Sequence, residues 1–115
     1  MDKAKMEQAD IVVIGAGFSG LYAIWRLRND YKVVCFEAGD GVGGTWYWNR
    51  YPGARVDIQS VEYSYGSDDE LQQEWHWPEQ FSAQPDLERY ANHVADRFGL
   101  RDAIRLSNAV QSLQF

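Results

Sequence analysis

A short apolar run, Ile11-Val12-Val13-Ile14, ends on Gly15-x-Gly17-x-x-Gly20, and no other feature constrains the fold of this chain so tightly. A β-branched run stopped by glycine reads as a strand buried on both faces. Beyond it, Leu21, Ile24 and Leu27 recur at every third position until Asn29-Asp30 interrupts the pattern, which predicts a helix of about three turns. Lys32-Val33-Val34-Cys35-Phe36-Glu37 then predicts a second strand. Strand, glycine turn, helix and strand make a βαβ crossover, which is right-handed and joins parallel strands. The expected fold is therefore α/β, with a Rossmann-like unit over residues 10–37.

The glycines have separable roles in such a unit. Gly15 permits the tight turn, Gly17 lets a pyrophosphate approach the backbone, and Gly20 lets the helix pack closely on the sheet, with the helix N-terminus facing the anion. Glu37 closes the second strand 17 positions beyond Gly20. A carboxylate there can accept hydrogen bonds from both adenosine ribose hydroxyls and disfavours a 2′-phosphate. This first site is expected to hold FAD or NAD, with NADP bound elsewhere.

After a leader at 1–9, the remaining chain divides into a cofactor loop region at 38–83 and a helix with short strands at 84–115. Between Ala38 and Gln59, Gly39, Gly41, Gly43, Gly44, Pro52 and Gly53 alternate with aromatics, so a long functional loop without regular structure is expected. Pro85 suits a first helical position, Leu87, Tyr90, Ala91, Val94 and Phe98 form one face, and Gly99 supplies a left-handed stop. From Ala103 to Phe115 the pattern supports only one or two short strands.

Composition excludes several classes. With 17 acidic and 11 basic residues the net charge is −6, and no basic stripe suits nucleic-acid phosphates or anionic lipid. The leader has no signal-peptide core, and no apolar run reaches the ~20 residues of a membrane span, so a cytoplasmic location is expected. One cysteine, Cys35, and two dispersed histidines give no metal site. Cys35 reads as a small apolar packer, His93 as an edge residue, and Asp68-Asp69-Glu70 as a solvated acidic turn. Trp75 and Trp77, either side of His76, read as a cover for the core.

Aromatics crowd into Trp46-Tyr47-Trp48, Tyr51, Tyr63, Tyr65, Trp75 and Trp77. Adjacent Gly43-Gly44 frees backbone to run close to a ligand, indoles offer stacking faces, and Arg55 with Asp57 supplies opposite charges. These suit a flavin or nicotinamide pocket, or equally a loop packed by its own aromatics.

The runs Gly15-Ala-Gly-Phe-Ser-Gly-Leu-Tyr22 and Gly43-Gly-Thr-Trp-Tyr-Trp-Asn-Arg-Tyr-Pro-Gly-Ala-Arg55, followed by Glu74-Trp75-His76-Trp77 and Gln84-Pro85, closely resemble the start of the Baeyer–Villiger monooxygenases. The resemblance runs from about Ala9 to the C-terminus, and the Trp46 to Gly53 stretch is highly specific to that family. It implies FAD held at Gly15, Gly17, Phe18, Ser19, Gly20 and Glu37, with Gly44, Thr45, Trp46, Tyr47, Trp48, Asp57 and Tyr63 around the flavin. Val110 matches a position whose backbone meets the adenine end, and Arg55 and Asp57 match residues near the NADP nicotinamide and the flavin. They are the candidate catalytic residues.

The reaction implied is oxygen insertion beside a ketone carbonyl, driven by NADPH and O2, to give an ester or lactone. Two departures stand out. Tyr65-Gly66-Ser67 replaces the family's usual pairing of an aromatic after a serine, and neither a second glycine fingerprint for NADP nor the Phe-x-Gly-x-x-x-His-x-x-x-Trp signature occurs in these 115 residues. The chain reads as the FAD-binding part of a two-dinucleotide-domain flavoprotein, whose open sheet calls for a complementary polypeptide. The competing readings are a piece of an N- or S-oxygenating flavoenzyme and a non-catalytic dinucleotide-binding module.

Overall fold

The computed structural model describes residues 6–115. Three parallel strands, β1 (Ile11–Ile14), β2 (Val33–Phe36) and β3 (Ile104–Arg105), form one sheet in the order β1-β2-β3. Ile11 pairs with Val33 and Ile14 with Phe36, while Cys35 pairs with Ile104. The helix α1 (Phe18–Leu27) crosses from β1 to β2 as the glycine spacing predicts. One face of the sheet, carrying Val33, Cys35 and Ile104, packs on Leu21 and Ile24 of α1 and on α5 (Gln84–Arg97).

The α5 face expected from the sequence is the face observed: Leu87, Tyr90, Ala91 and Val94 are buried, and Phe98 stacks on Trp25 at 4.4 Å. Pro85 lies in the first turn, and Gly99 takes φ +64°, so that the Leu100 N–H reaches back to the Ala95 carbonyl at 2.8 Å. That is a left-handed helix stop, and glycine adopts it without a Cβ penalty.

Four expectations need correction. β1 is not buried on both faces: Val12 and Ile14 stand 51% and 55% exposed, because among the described residues the helices cover only the opposite face. The loop at 38–59 contains a turn of helix, α2 (Thr45–Trp48), started by Gly43 and Gly44 at φ +129° and +57°. Two further short helices, α3 (Ser60–Tyr63) and α4 (Asp69–Glu74), lie within 38–83. The acidic run is a helix start, with the Asp68 carboxylate accepting the Leu71 N–H at 2.8 Å and Asp69 and Glu70 in the first turn, where carboxylates offset the helix dipole.

The tail contributes only β3, residues 106–115 forming no further strand. Of the leader, residues 1–5 lie outside the described residues, while Glu7 pairs with Arg105 beside the sheet. Trp75 and Trp77 do pack against the core, and His93 sits at its edge, tilted over Trp75 at 5.0 Å. Its Nε2 is 3.4 Å from the Glu74 carboxylate but too poorly aligned for a hydrogen bond.

Candidate functional site

Two glycine segments far apart in sequence meet in space. The N–H of Gly43 donates to the Ala16 carbonyl at 2.9 Å. A Cβ placed on Gly17 would come 3.3 Å from the Cα of Gly44, and one placed on Gly44 only 2.8 Å from the Cα of Gly17. Gly20 is fixed more severely, since a Cβ there would lie 1.9 Å from the Gly15 carbonyl oxygen. Close helix–strand packing at Gly20 is therefore the role its position suggested. Gly17 has a second one, contact with Gly44.

Between these segments lies a cavity of about 390 Å³ lined by Ile14, Gly15, Gly17, Phe18, Ser19, Gly20, Gly43, Gly44, Thr45, Trp46 and Tyr63. None of these side chains is charged. The positive field comes from the N-terminus of α1: Gly17 gives no side-chain cap, the first turn holds no acid, and the leading N–H groups have no intrahelical acceptor. The aromatic wall is interlocked. The Trp46 Nε1–H donates to the Tyr63 hydroxyl at 2.9 Å, and the Phe18 ring meets Tyr63 edge-on at 5.3 Å. Trp46, Val56 and Leu87 form a small second core behind this wall.

Glu37 lies beneath the glycine turn, only 4% exposed. Its Oε1 accepts the Ala16 N–H at 2.7 Å and its Oε2 accepts the Gly39 N–H at 2.7 Å. A carboxylate offers about four lone-pair sites, so two remain for further donors. The neighbouring Cys35 thiol donates to the Gly15 carbonyl at 3.5 Å. Burial, with the Glu37 charge added, pushes its pKa up to about 11, so it stays a thiol and packs as a small apolar group.

The remaining candidates lie elsewhere. Tyr47 turns away from the cavity towards Gly39 and Gly41. Trp48 stands 60% exposed. Asp57 is exposed, and Arg55 pairs with Glu79 at 3.2 Å and with the Phe81 carbonyl at 2.7 Å, not with Asp57. Val110 does not line the cavity, although the tail passes near Glu37 where the Asn108 N–H donates to the Glu37 carbonyl at 2.9 Å. Gly43 and Ile14 also line the cavity. Gly43 was visible as half of a glycine pair, whereas Ile14 carried no signal beyond its place before the fingerprint.

Comparison with known proteins agrees with this geometry. The family described as NAD(P)-binding Rossmann-like domain matches residues 13–75. A phenazine N-monooxygenase from Lysobacter antibioticus is 44% identical over 108 residues, covering 92% of this chain and 20% of the relative. A Baeyer–Villiger monooxygenase from Pseudooceanicola batsensis is 43% identical over 108 residues, with the same coverage of 92% and 20%. Among solved structures, an oxidised steroid monooxygenase bound to NADP superposes with a TM-score of 0.84 at 56% identity, covering 86% of this chain and 19% of that one. The chain thus spans about a fifth of the length of these relatives. It belongs to the NAD(P)-binding Rossmann-like domain family and is the counterpart of the N-terminal segment of Baeyer–Villiger-type flavin monooxygenases.

Proposed function

We propose that this chain is the FAD-binding part of an NADPH- and O2-dependent monooxygenase that inserts oxygen beside a ketone carbonyl, giving an ester or lactone. The observation that carries this reading is the meeting of Gly15–Gly20 with Gly43–Gly44 at the uncapped start of α1, directly above Glu37. The residues fit a dinucleotide. A cradle of glycine backbone admits a pyrophosphate, unpaired N–H groups face it, and the uncharged lining adds no repulsion.

In this reading Ser19 and the first N–H groups of α1 bind the pyrophosphate, while Glu37 takes the ribose hydroxyls on its remaining lone pairs. Phe18, Trp46 and Tyr63 wall the cavity and exclude water from one side of it. Bound FAD supplies the redox chemistry and oxygen activation, and the protein supplies binding, orientation and electrostatics. Tyr63 accepts the Trp46 N–H and so keeps its own proton directed elsewhere.

In the same reading Arg55 and Asp57, both exposed, serve the region between the NADP nicotinamide and the flavin. The bare sheet face at Val12 and Ile14 is where a complementary segment would pack. No helix of the described residues is long and apolar enough to cross a membrane, and a cytoplasmic location is proposed.

The test is FAD titration followed by turnover. The chain, supplied with the later regions its relatives possess, should bind one FAD, consume NADPH and O2, and convert a cyclic ketone to a lactone by mass spectrometry. The chain alone should turn over no ketone. A second reading, oxygen transfer to nitrogen or sulfur, draws on the identity to a phenazine N-monooxygenase. Oxidation of a phenazine or a sulfide with the ketone left untouched would select it, and failure to bind any dinucleotide would reject both.

A further inference from the structure

The glycines at 39 and 41 are not required by backbone conformation, because neither takes the positive φ seen at Gly43 and Gly44. A side chain at either would instead meet a ring. A Cβ on Gly39 would lie 2.6 Å from Cε2 of Tyr47, and one on Gly41 would lie 3.0 Å from its Cε1. Gly43 closes the slot, a Cβ there falling 3.3 Å from the Tyr47 nitrogen. Gly39 and Gly41 thus lie against the ring of Tyr47, and Gly43 against its backbone.

The ring is held from its other sides as well. The Tyr47 hydroxyl donates to the Asp40 carboxylate and accepts the Asp40 N–H at 3.1 Å. The Arg50 guanidinium lies over the ring at 4.9 Å and is tied to Glu88 of α5 at 2.9 Å. Gln84 of α5 donates to the Trp46 carbonyl one residue away. The turn bearing Tyr47 is therefore clamped between the chain leaving β2 and the first turns of α5.

We propose that Tyr47 is a positioning residue: by seating its ring against Gly39 and Gly41 it fixes Gly43–Gly44 against Ala16–Gly17, presetting the cradle before a dinucleotide arrives. This rests on the reading of that cradle as the FAD pyrophosphate site. The link is short, since the Tyr47 N–H donates to the Gly44 carbonyl at 2.9 Å and the Gly43 N–H donates to the Ala16 carbonyl. A preset cradle avoids the ordering cost that a loose loop would add to binding.

The test is a double-mutant cycle on the whole chain, read first without ligand. Amide hydrogen exchange at Gly43 should quicken by about tenfold in Tyr47→Leu and in Gly41→Ala, while the amides of Val34 and Cys35 in the sheet keep their protection. Tyr47→Phe, which keeps the ring and loses only its hydroxyl bonds to Asp40, should recover most of the protection at Gly43. Gly41→Ala/Tyr47→Leu should be no worse than Tyr47→Leu alone, because a smaller side chain leaves room for the added methyl.

FAD affinity, measured by flavin fluorescence, should fall about tenfold in the same variants and recover in Tyr47→Phe. Unchanged exchange at Gly43, additive single effects, or quickened exchange with FAD affinity unaltered would each overturn the proposal. If the wild-type chain bound no FAD, the pyrophosphate reading would fail and the exchange cycle alone would decide whether Tyr47 sets the cradle.

Discussion

Residues 10–37 and residues 38–83 both build the cavity, yet their glycines answer to different causes. In the first region Gly15 and Gly20 are explained within a few residues of themselves: Gly20 clears the Gly15 carbonyl, and Gly15 turns at φ +96°, while Gly17 alone also meets the second region, at Gly44. In the second, Gly39 and Gly41 clear the ring of Tyr47, and Gly44 clears Gly17, which lies 27 positions upstream. Local causes repeat as spacing and can be recognised. Causes that depend on a side chain arriving from elsewhere leave only an excess of glycine.

Substitutions sharpen this contrast. The largest effect is expected at Gly20, where valine would overlap the Gly15 carbonyl with no flexible neighbour to yield. Gly20→Val should cost on the order of 4 kcal/mol or more and leave no cooperative urea transition by circular dichroism. A folded Gly20→Val protein would break the distinction between the two regions at its strongest point.

Next in size, Gly17→Val should lower FAD affinity by about 100-fold, since its side chain enters both the cradle and the contact with Gly44. Gly44→Ala combines a positive φ with a 2.8 Å approach and should cost about 1–3 kcal/mol in thermal or urea unfolding. If Gly44→Ala proved neutral while Gly17→Val abolished binding, the cradle would depend on the first region alone.

Glu37→Gln places an amide where one of two backbone N–H donors now finds an acceptor. It should lose about 1–3 kcal/mol of stability without ligand and about tenfold in FAD affinity. Stability lost with affinity intact would make Glu37 a brace for the turn and nothing more. The smallest effect belongs to Arg55→Ala, whose pairing with Glu79 is solvent-exposed on both sides. Stability should change by no more than about 0.5 kcal/mol, and FAD affinity should not change, whereas NADPH oxidation by the completed enzyme should slow.

The parallel βαβ crossover and the buried face of α5 were legible because burial imposes a period on the sequence, as at Leu87, Tyr90, Ala91 and Val94. The half-exposed state of Val12 and Ile14 was not, because a strand looks the same in sequence whether its second face is covered by this segment or by another. Within the site, Gly15, Gly17 and Gly20 could be placed by spacing. The direction of Tyr47 could not, since Trp46, Tyr47 and Trp48 are chemically alike and only the slot on the far side of the turn separates them. The capping role of Asp68 was readable in principle from an acid followed by a short helical stretch, but the apolar period behind it is only one residue deep, at Leu71.

Cys35 turns the architecture into its own clock. The sole sulfur in a cysteine side chain here is wholly buried, directed at the Gly15 carbonyl, and kept protonated by its surroundings. An alkylating reagent can reach it only when the packing around β2 opens, whether at the glycine turn, at β3 or by unfolding, so the rate of thiol labelling counts those openings. No foreign probe is needed to time the breathing of the cradle, and any compound that closes it should slow the chemistry at a sulfur that it never touches.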